Sequence, residues 1–223
     1  MAEDMHLYWG SGSAPCWRVM IALEEKNLQG FKNTLLSFDK NEHKSPGVLA
    51  QNPRGQLPTF KHGDNILNES YAACFYLESQ FKCQGSKLLP DGAAEQALVY
   101  QRMFEGITFY DKLFAVIYYE WSVPEDERHE SAFKRNCEAL ATELHLWEGY
   151  LQAGPYLAGP NFSLADVAVF PTVANLFRYG LTAVRYPKLS EYHTLLKERP
   201  SVRASWPPHW QEDPTGEDTL KDL

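Results

Sequence analysis

Met5-His6-Leu7-Tyr8-Trp9-Gly10-Ser11-Gly12-Ser13-Ala14-Pro15-Cys16-Trp17-Arg18-Val19 is the stretch on which the reading of this chain turns. Met5 to Trp9 is short and largely apolar or aromatic, and it reads as a strand running into a Gly/Ser loop. Pro15 then opens a helical pattern, because proline fits the first turn of a helix, where its missing N–H is not needed. Val19, Ile21, Ala22 and Leu23 form the apolar side, Glu24-Glu25-Lys26 the exposed side, and the helix ends near Asn27, before Gly30. A strand entering a helix in this way leaves the first backbone N–H groups of the helix without partners, in a field that favours an anion. Two hydroxyls, Ser11 and Ser13, stand at that turn. The residue types alone leave two readings open. Ser13 is a helix cap, or it donates a hydrogen bond to a bound thiolate.

Working outward, Thr34 to Phe38 reads as a second strand and Asp39 to Gln51 as a polar helix or loop. Leu57-Pro58-Thr59-Phe60 and Asn65-Ile66-Leu67 flank Gly63-Asp64, a hairpin signal. Ser70 to Phe81 has helical spacing, and Lys82 to Asp91 reads as a linker containing Gly85 and Pro90. The first half is therefore βαβ, an α-containing connection, and ββα. After residue 92 the pattern is helical throughout, with periodic stretches over Ala93–Trp121 and Pro124–Gln152 and further helices starting at Ser163 and near Pro187. Ser163-Leu164-Ala165-Asp166 is an acidic capping box, flanked by Phe162 and Val167 as a hydrophobic staple. Pro171 falls inside that helix. Glu212 to Leu223 is polar and is expected to be mobile.

A chain of 223 residues accommodates one large domain or two small ones. The boundaries expected are 5–82 for the α/β domain, 83–91 for the linker and 92–223 for an all-helical domain. The net charge of −8 repels a phosphate backbone on average and argues against a nucleic-acid partner. No apolar run reaches the ~18–20 residues that span a bilayer. Four scattered cysteines, Cys16, Cys74, Cys83 and Cys137, do not form a disulfide framework. The expectation is a reduced, cytoplasmic protein that needs neither metal nor membrane.

Two further constellations follow the Ser13 loop. Asn52-Pro53-Arg54-Gly55-Gln56-Leu57-Pro58 places an X-Pro bond, a candidate cis peptide, at the start of a strand. Such a bend frees the Leu57 N–H and C=O to pair with an extended ligand backbone. Glu69-Ser70 precedes a helix, where Ser70 and nearby N–H groups can hold a carboxylate or simply cap. On the second half, Tyr110, Phe114 and Tyr118 recur at i, i+4, i+8, a stripe that is either core or the lining of an apolar pocket.

These three sites, in this order, within a βαβ–ββα half followed by a helical half, resemble the soluble glutathione transferases, most nearly the rho class of fish. The catalytic segment is similar to those of the theta, delta and zeta classes. The resemblance spans about Met5 to Ser205. It implies an α/β plus all-α fold, a thioredoxin-like domain followed by a helical bundle. The implied activity is conjugation of glutathione, a co-substrate with no further cofactor, to hydrophobic electrophiles in a cytoplasmic homodimer. Matching by Pro15 or by Trp17-Arg18-Val19 puts the activating hydroxyl at Ser13, with Ser11 and Tyr8 as alternatives. The delta-like run Glu42-His43-Lys44-Ser45-Pro46 implies His43 as a ligand of the glycine carboxylate. Gln56 and Leu57 match the residues that clasp the cysteinyl backbone, with Pro58 as the family's cis-proline, and Glu69 and Ser70 match those holding the γ-glutamyl end. Gly55 stands where delta-type enzymes carry a second histidine, so Gln56 takes more of the binding. The spacing of Tyr110, Phe114 and Tyr118 offers one face for the electrophile, or plain core. Ser13-Ala14-Pro15-Cys16 also has the spacing of a redox pair with serine in the nucleophilic position. A thiol transferase using Cys16, or a non-catalytic binding protein of the same fold, is the alternative.

Overall fold

The computed structural model describes residues 2–213 and 215–223. It divides into two compact units. One comprises the chain up to Leu89 together with the segment that begins at Arg199; the other comprises Pro90–Glu198 and Thr215–Leu223.

The first unit is built on β1 (Met5–Trp9), α1 (Ala14–Glu25), β2 (Lys32–Leu35), the short α2 (Pro46–Leu49), β3 (Thr59–His62), β4 (Asn65–Leu67) and α3 (Ser70–Gln80). The sheet order is β2-β1-β3-β4. β1 and β2 are parallel, as the α1 crossover requires, and β3 runs antiparallel to both of its neighbours. Alternate residues of β1, Met5, Leu7 and Trp9, are buried, while His6 and Tyr8 on the other face are half-buried. α1 is buried almost all round, including Cys16, Trp17, Val19, Ile21, Ala22 and Leu23, and it packs against α3.

β2 begins two residues earlier than the sequence pattern indicates. Its register against β1 pairs His6 with Lys32 and Trp9 with Leu35, so polar Lys32 and Asn33 belong to the strand. As an edge strand it is largely exposed, and its residues carry no apolar alternation. Residues 82–89, expected as linker, are anchored in this unit. Lys26, fully buried, pairs with Glu78 and donates to the Ser86 carbonyl at 2.7 Å, and Glu78 accepts from the N–H groups of Leu88 and Leu89. Gly85, at φ +64, has Glu25 O where a Cβ would stand, which closes the position to any larger residue.

Helical residues 199–213 also pack on this unit, although the sequence pattern groups them with the helical half. Arg199 grips Glu25 in two parallel bonds of 2.6 and 2.8 Å, and Ser201 donates to the same carboxylate. Burial alone would raise the Glu25 pKa, but hydrogen bonds from Arg199 and Ser201, with the Arg199 charge, outweigh it and hold the group below its usual value. A carboxyl lowered in the folded state adds stability above its unfolded pKa, and that stability is lost as pH falls through the folded value. Glu25→Gln should therefore lower the thermal midpoint by several degrees at pH 7. The gap to wild type should shrink on acidification, as thermal melts at pH 7 and pH 3 would read.

The second unit contains α4 (Ala93–Ile117), α5 (Tyr119–Ser122), α6 (Glu130–Tyr150), α7 (Leu164–Arg178) and α8 (Pro187–Lys197). α7 is its centre, buried continuously from Leu164 to Leu176 and packed on α4. Ser163 and Asp166 form the reciprocal capping box, and Phe162 and Val167 are both buried. The stretch expected to start a helix at Pro124 instead makes a 3-10 turn over Glu125–Glu127, and Arg128 turns back to the carbonyls of Val123 and Glu120. The tail, expected to be mobile, is bonded to the end of α7. Glu217 and Leu220 donate their N–H groups to Arg178 O and Tyr179 O, each at 2.8 Å, and Leu220 is fully buried. The last carbonyls of α7 lack partners within the helix, and the tail supplies them.

Candidate active site

The topology gathers one end of every strand in the first unit. β1 ends at Trp9 beside Leu35 of β2, β3 begins at Thr59 opposite Tyr8, and β4 ends at Leu67 opposite Phe60. The Ser11–Ser13 loop, Leu57-Pro58 and Glu69-Ser70 therefore emerge at the same edge of the sheet, although they are far apart in sequence.

Ser13 is the N-cap of α1, with φ −69° and ψ 114°, and its Oγ accepts from the Cys16 N–H at 3.4 Å. That bond is long, and it uses only a lone pair of the hydroxyl. The O–H remains a donor at the positive end of α1, so capping and donation to an anion do not compete. Ser11 lies nearer the surface and shares a hydrogen bond of 2.6 Å with His209 Nδ1. Tyr8 sits in the strand itself, its ring stacked on His6 and its hydroxyl accepting from Gln51 Nε2 at 3.3 Å. Of the three candidate hydroxyls, Ser13 alone occupies the helix start.

Cys16 is fully buried, and its Sγ accepts from the Gly10 N–H at 3.4 Å. Burial pushes the thiol up to about 11, against the lowering effect of hydrogen bonds from Ser13 and Gly10 and of the Arg18 charge. At neutral pH a thiol held there is protonated and buried, the environment of a packed cysteine.

The Leu57–Pro58 peptide is cis. Leu57 is buried, and among the described residues its backbone N–H and C=O have no backbone partner. Asn52, which the sequence reading gave no role, holds this loop. Buried at 1% exposure, it donates to Gln56 O at 2.7 Å and accepts from Arg54 N–H at 3.1 Å, and its carbonyl receives the Gly55 N–H. The Asn-Pro pair was its signal, since asparagine favours such turns. The Gln56 side chain is exposed.

His43 is buried on a 3-10 turn, Glu42–Lys44, with its ring against Phe38. Burial and the Lys44 charge lower its pKa, against a raising hydrogen bond at the Ser37 backbone, so it is neutral at pH 7. Among the described residues its Nδ1 is buried without a hydrogen-bond partner. Phe38 was also missed. Its ring lies where a Cβ on Gly10 would be, which ties the His43 turn to the Ser11–Ser13 loop.

Glu69 is the exposed N-cap residue of α3, and Ser70 is buried behind it. Arg18, buried in α1, donates to Ser70 Oγ at 3.3 Å and lies over the Tyr71 ring. A buried guanidinium beside a helix N-terminus makes this corner attractive to a carboxylate. The sequence reading left Arg18 out, because its partner is 52 residues away. In the second unit, Tyr110, Phe114 and Tyr118 form a half-buried stripe with ring separations of 6.1 and 4.7 Å. They lie beside, not among, the buried residues of α4 such as Phe109, Leu113 and Val116.

Known proteins match this arrangement along the whole chain. Residues 3–79 match the model of the glutathione S-transferase N-terminal domain, and residues 108–205 that of the C-terminal domain. The chain is 67% identical over 225 residues to glutathione S-transferase A of Pleuronectes platessa, covering 100% of both. A crystal structure of a glutathione S-transferase from the Antarctic clam Laternula elliptica superposes with a TM-score of 0.87 at 38% identity, covering 98% of this chain and 99% of that one. A Sulfitobacter glutathione transferase homologue solved with bound glutathione gives 0.78 at 26% identity, covering 91% and 96%. With both domain models matched and a relative 67% identical along its full length, this chain, with its strand-to-helix serine loop and cis-proline, belongs to the glutathione S-transferase family.

Proposed function

We propose that this enzyme conjugates the thiolate of glutathione to hydrophobic electrophiles, and that Ser13 holds the thiolate by donating its hydroxyl proton. The observation that carries the reading is the Ser13 geometry. The side chain caps α1 through a lone pair and keeps its O–H for the anion. A neutral buried thiol such as Cys16 is a weak acceptor and competes poorly for that proton. The Leu57 N–H and C=O clasp the cysteinyl backbone across the cis-Pro58 bend. Ser70, reinforced by Arg18, takes the γ-glutamyl carboxylate and Glu69 the amino group. His43 and Gln56 serve the glycine carboxylate. Residues 5–82 thus supply the glutathione half, and the helical region after 92 supplies Tyr110, Phe114 and Tyr118 as an apolar surface for the electrophile. The thiolate attacks the electrophilic carbon, the leaving group departs, and the thiol proton passes to solvent. Holding both reactants supplies much of the rate without a covalent enzyme intermediate. The enzyme acts as a homodimer in the cytoplasm.

Purified protein mixed with glutathione and an activated aryl halide should form the thioether, followed by its absorbance. Cys16→Ala should keep kcat/KM within roughly threefold of wild type, since a buried neutral thiol contributes only packing. Binding of glutathione with no conjugation of any electrophile would overturn the reading in favour of a binding protein. Loss of activity in Cys16→Ala with retained glutathione affinity would favour the thiol transferase.

A further inference from the structure

The Ser11–Ser13 loop is weakly held from within. Its local bonds are long, 3.3 Å from Ser13 N to Gly10 O and 3.4 Å from Cys16 N to Ser13 Oγ, Gly10 precedes it, and its middle residue is Gly12 at φ +78°. Glycine-rich backbone of this kind samples many conformations unless something outside restrains it.

That restraint comes from the far end of the chain. α9 (Pro200–Ala204) and α10 (Pro208–Glu212) are each five residues long, too short to persist alone. They are seated on α1 by tryptophans. Trp206 and Trp210 meet the Trp17 ring edge-on at 5.0 and 5.6 Å, and Trp17 Nε1 donates to Ser205 Oγ at 2.9 Å. The seated α10 delivers His209 to the loop. Its Nδ1 lies 2.6 Å from Ser11 Oγ, 198 residues away in sequence. Its ring edge covers Gly12, where an added Cβ would stand 2.7 Å from Cε1 and 3.3 Å from Nε2. One segment therefore grips both flanks of Ser13, through Ser11 and Gly12 before it and Trp17 after it.

We infer that His209 is a positioning residue for the reaction: through its hydrogen bond to Ser11 and its contact with Gly12 it keeps the Ser13 hydroxyl at the helix start. The inference rests on the Ser13 reading above. An enzyme whose competent loop conformation is only fractionally populated loses activity in proportion to that fraction. The contacts that carry the inference are with Ser11 and Gly12, to which the proposed function gives no part in holding glutathione, so the loss of His209 should act on kcat and on the thiol and leave the KM for glutathione nearly unchanged.

The test uses the full chain as wild type, His209→Ala, Ser11→Ala, the double variant, His209→Asn and Ser13→Ala. It reads kcat, KM for glutathione, and the pKa of bound glutathione by ultraviolet thiolate absorbance. Each single change at His209 or Ser11 should raise that pKa by roughly half a unit and lower kcat roughly three- to tenfold at neutral pH. The double variant should be no worse than His209→Ala alone, because the Ser11–His209 hydrogen bond is already removed in that single variant. His209→Asn, whose carboxamide offers a polar group near the Nδ1 position, should recover most of the activity. Wild-type kcat and thiol pKa in His209→Ala, or additive losses in the double variant, would overturn the inference. If Ser13→Ala raises the thiol pKa while His209→Ala does not, only the positioning role falls. If Ser13→Ala leaves the pKa low, the Ser13 reading falls and takes the role of His209 with it.

Discussion

Replacing Ser13 with alanine should raise the pKa of bound glutathione by about 1–2 units and cut the neutral-pH rate roughly ten- to hundredfold. A hydrogen bond to a charged group contributes about 1.5–3 kcal/mol, and one pKa unit corresponds to about 1.4 kcal/mol. A free thiol titrates near ~8.5, so lowering it by ~2 units requires ~2.7 kcal/mol. The helix N-terminus adds only about 0.3–1 kcal/mol, so the hydroxyl carries most of the effect. The loss should be pH-dependent in a definite sense. With the pKa raised, the variant recovers as pH rises, because the thiolate is restored by titration. Ser13→Thr should retain both cap and donor. Thiolate absorbance titrations paired with pH–rate profiles check the prediction, and a Ser13→Ala enzyme whose thiol still titrates low would refute it.

The largest loss of stability is expected at Asp166. Its carboxylate is fully buried and accepts four hydrogen bonds, from Leu157 N–H, Ser163 N–H, Ser163 Oγ and Tyr192 OH, at 2.9–3.1 Å. Asp166→Ala leaves these donors buried without their acceptor, at about 1–3 kcal/mol for each that finds no water, and it opens the capping box of α7. The expected loss is about 3–5 kcal/mol, a fall in thermal midpoint on the order of 10 °C. Burial holds the carboxyl up at about 6, against the four hydrogen bonds that lower it. A group raised in the folded state contributes stability that is present at low pH and lost as pH rises through the folded value. Asp166→Asn cannot titrate, so the gap between it and wild type should be wider at pH 5 than at pH 8. Thermal melts of the three proteins at both pH values read the loss and its sign.

Features encoded within a few residues were legible in the sequence. Met5–Trp9 alternates on a half-buried sheet, Pro15 starts α1, Gly63-Asp64 turns the hairpin and Ser163 with Asp166 caps α7, each through local chemistry. The order of the three loop sites was legible too, and with it the fold. What escaped depends on partners distant along the chain. Arg18 looks like one exposed charge on a helix until Ser70 is placed beside it, and Phe38 looks like a strand end until its ring meets Gly10. The tail composition is that of a solvated segment, but the open carbonyls at the end of α7 order it regardless. Ser13 shows the limit from the other side. Its sequence left cap and donor both open, and the geometry shows the cap, while the donor role rests on the thiolate titration.

The clasp of Glu25 by Arg199 joins residues 174 apart, and Trp17 reaches Ser205 across 188. A ribosome therefore releases the strands of the first unit long before it releases the piece that completes them. Until then the indole of Trp17 and the carboxylate of Glu25 wait without their cover, in a nascent chain that already holds β1 to α3. Loop-closure entropy makes such late, long-range pairing slow, and exposed apolar surface in the interval is what chaperones bind. The order of synthesis thus places the bonds of Glu25 to Arg199 and of Trp17 to Ser205 among the last that the first unit can make.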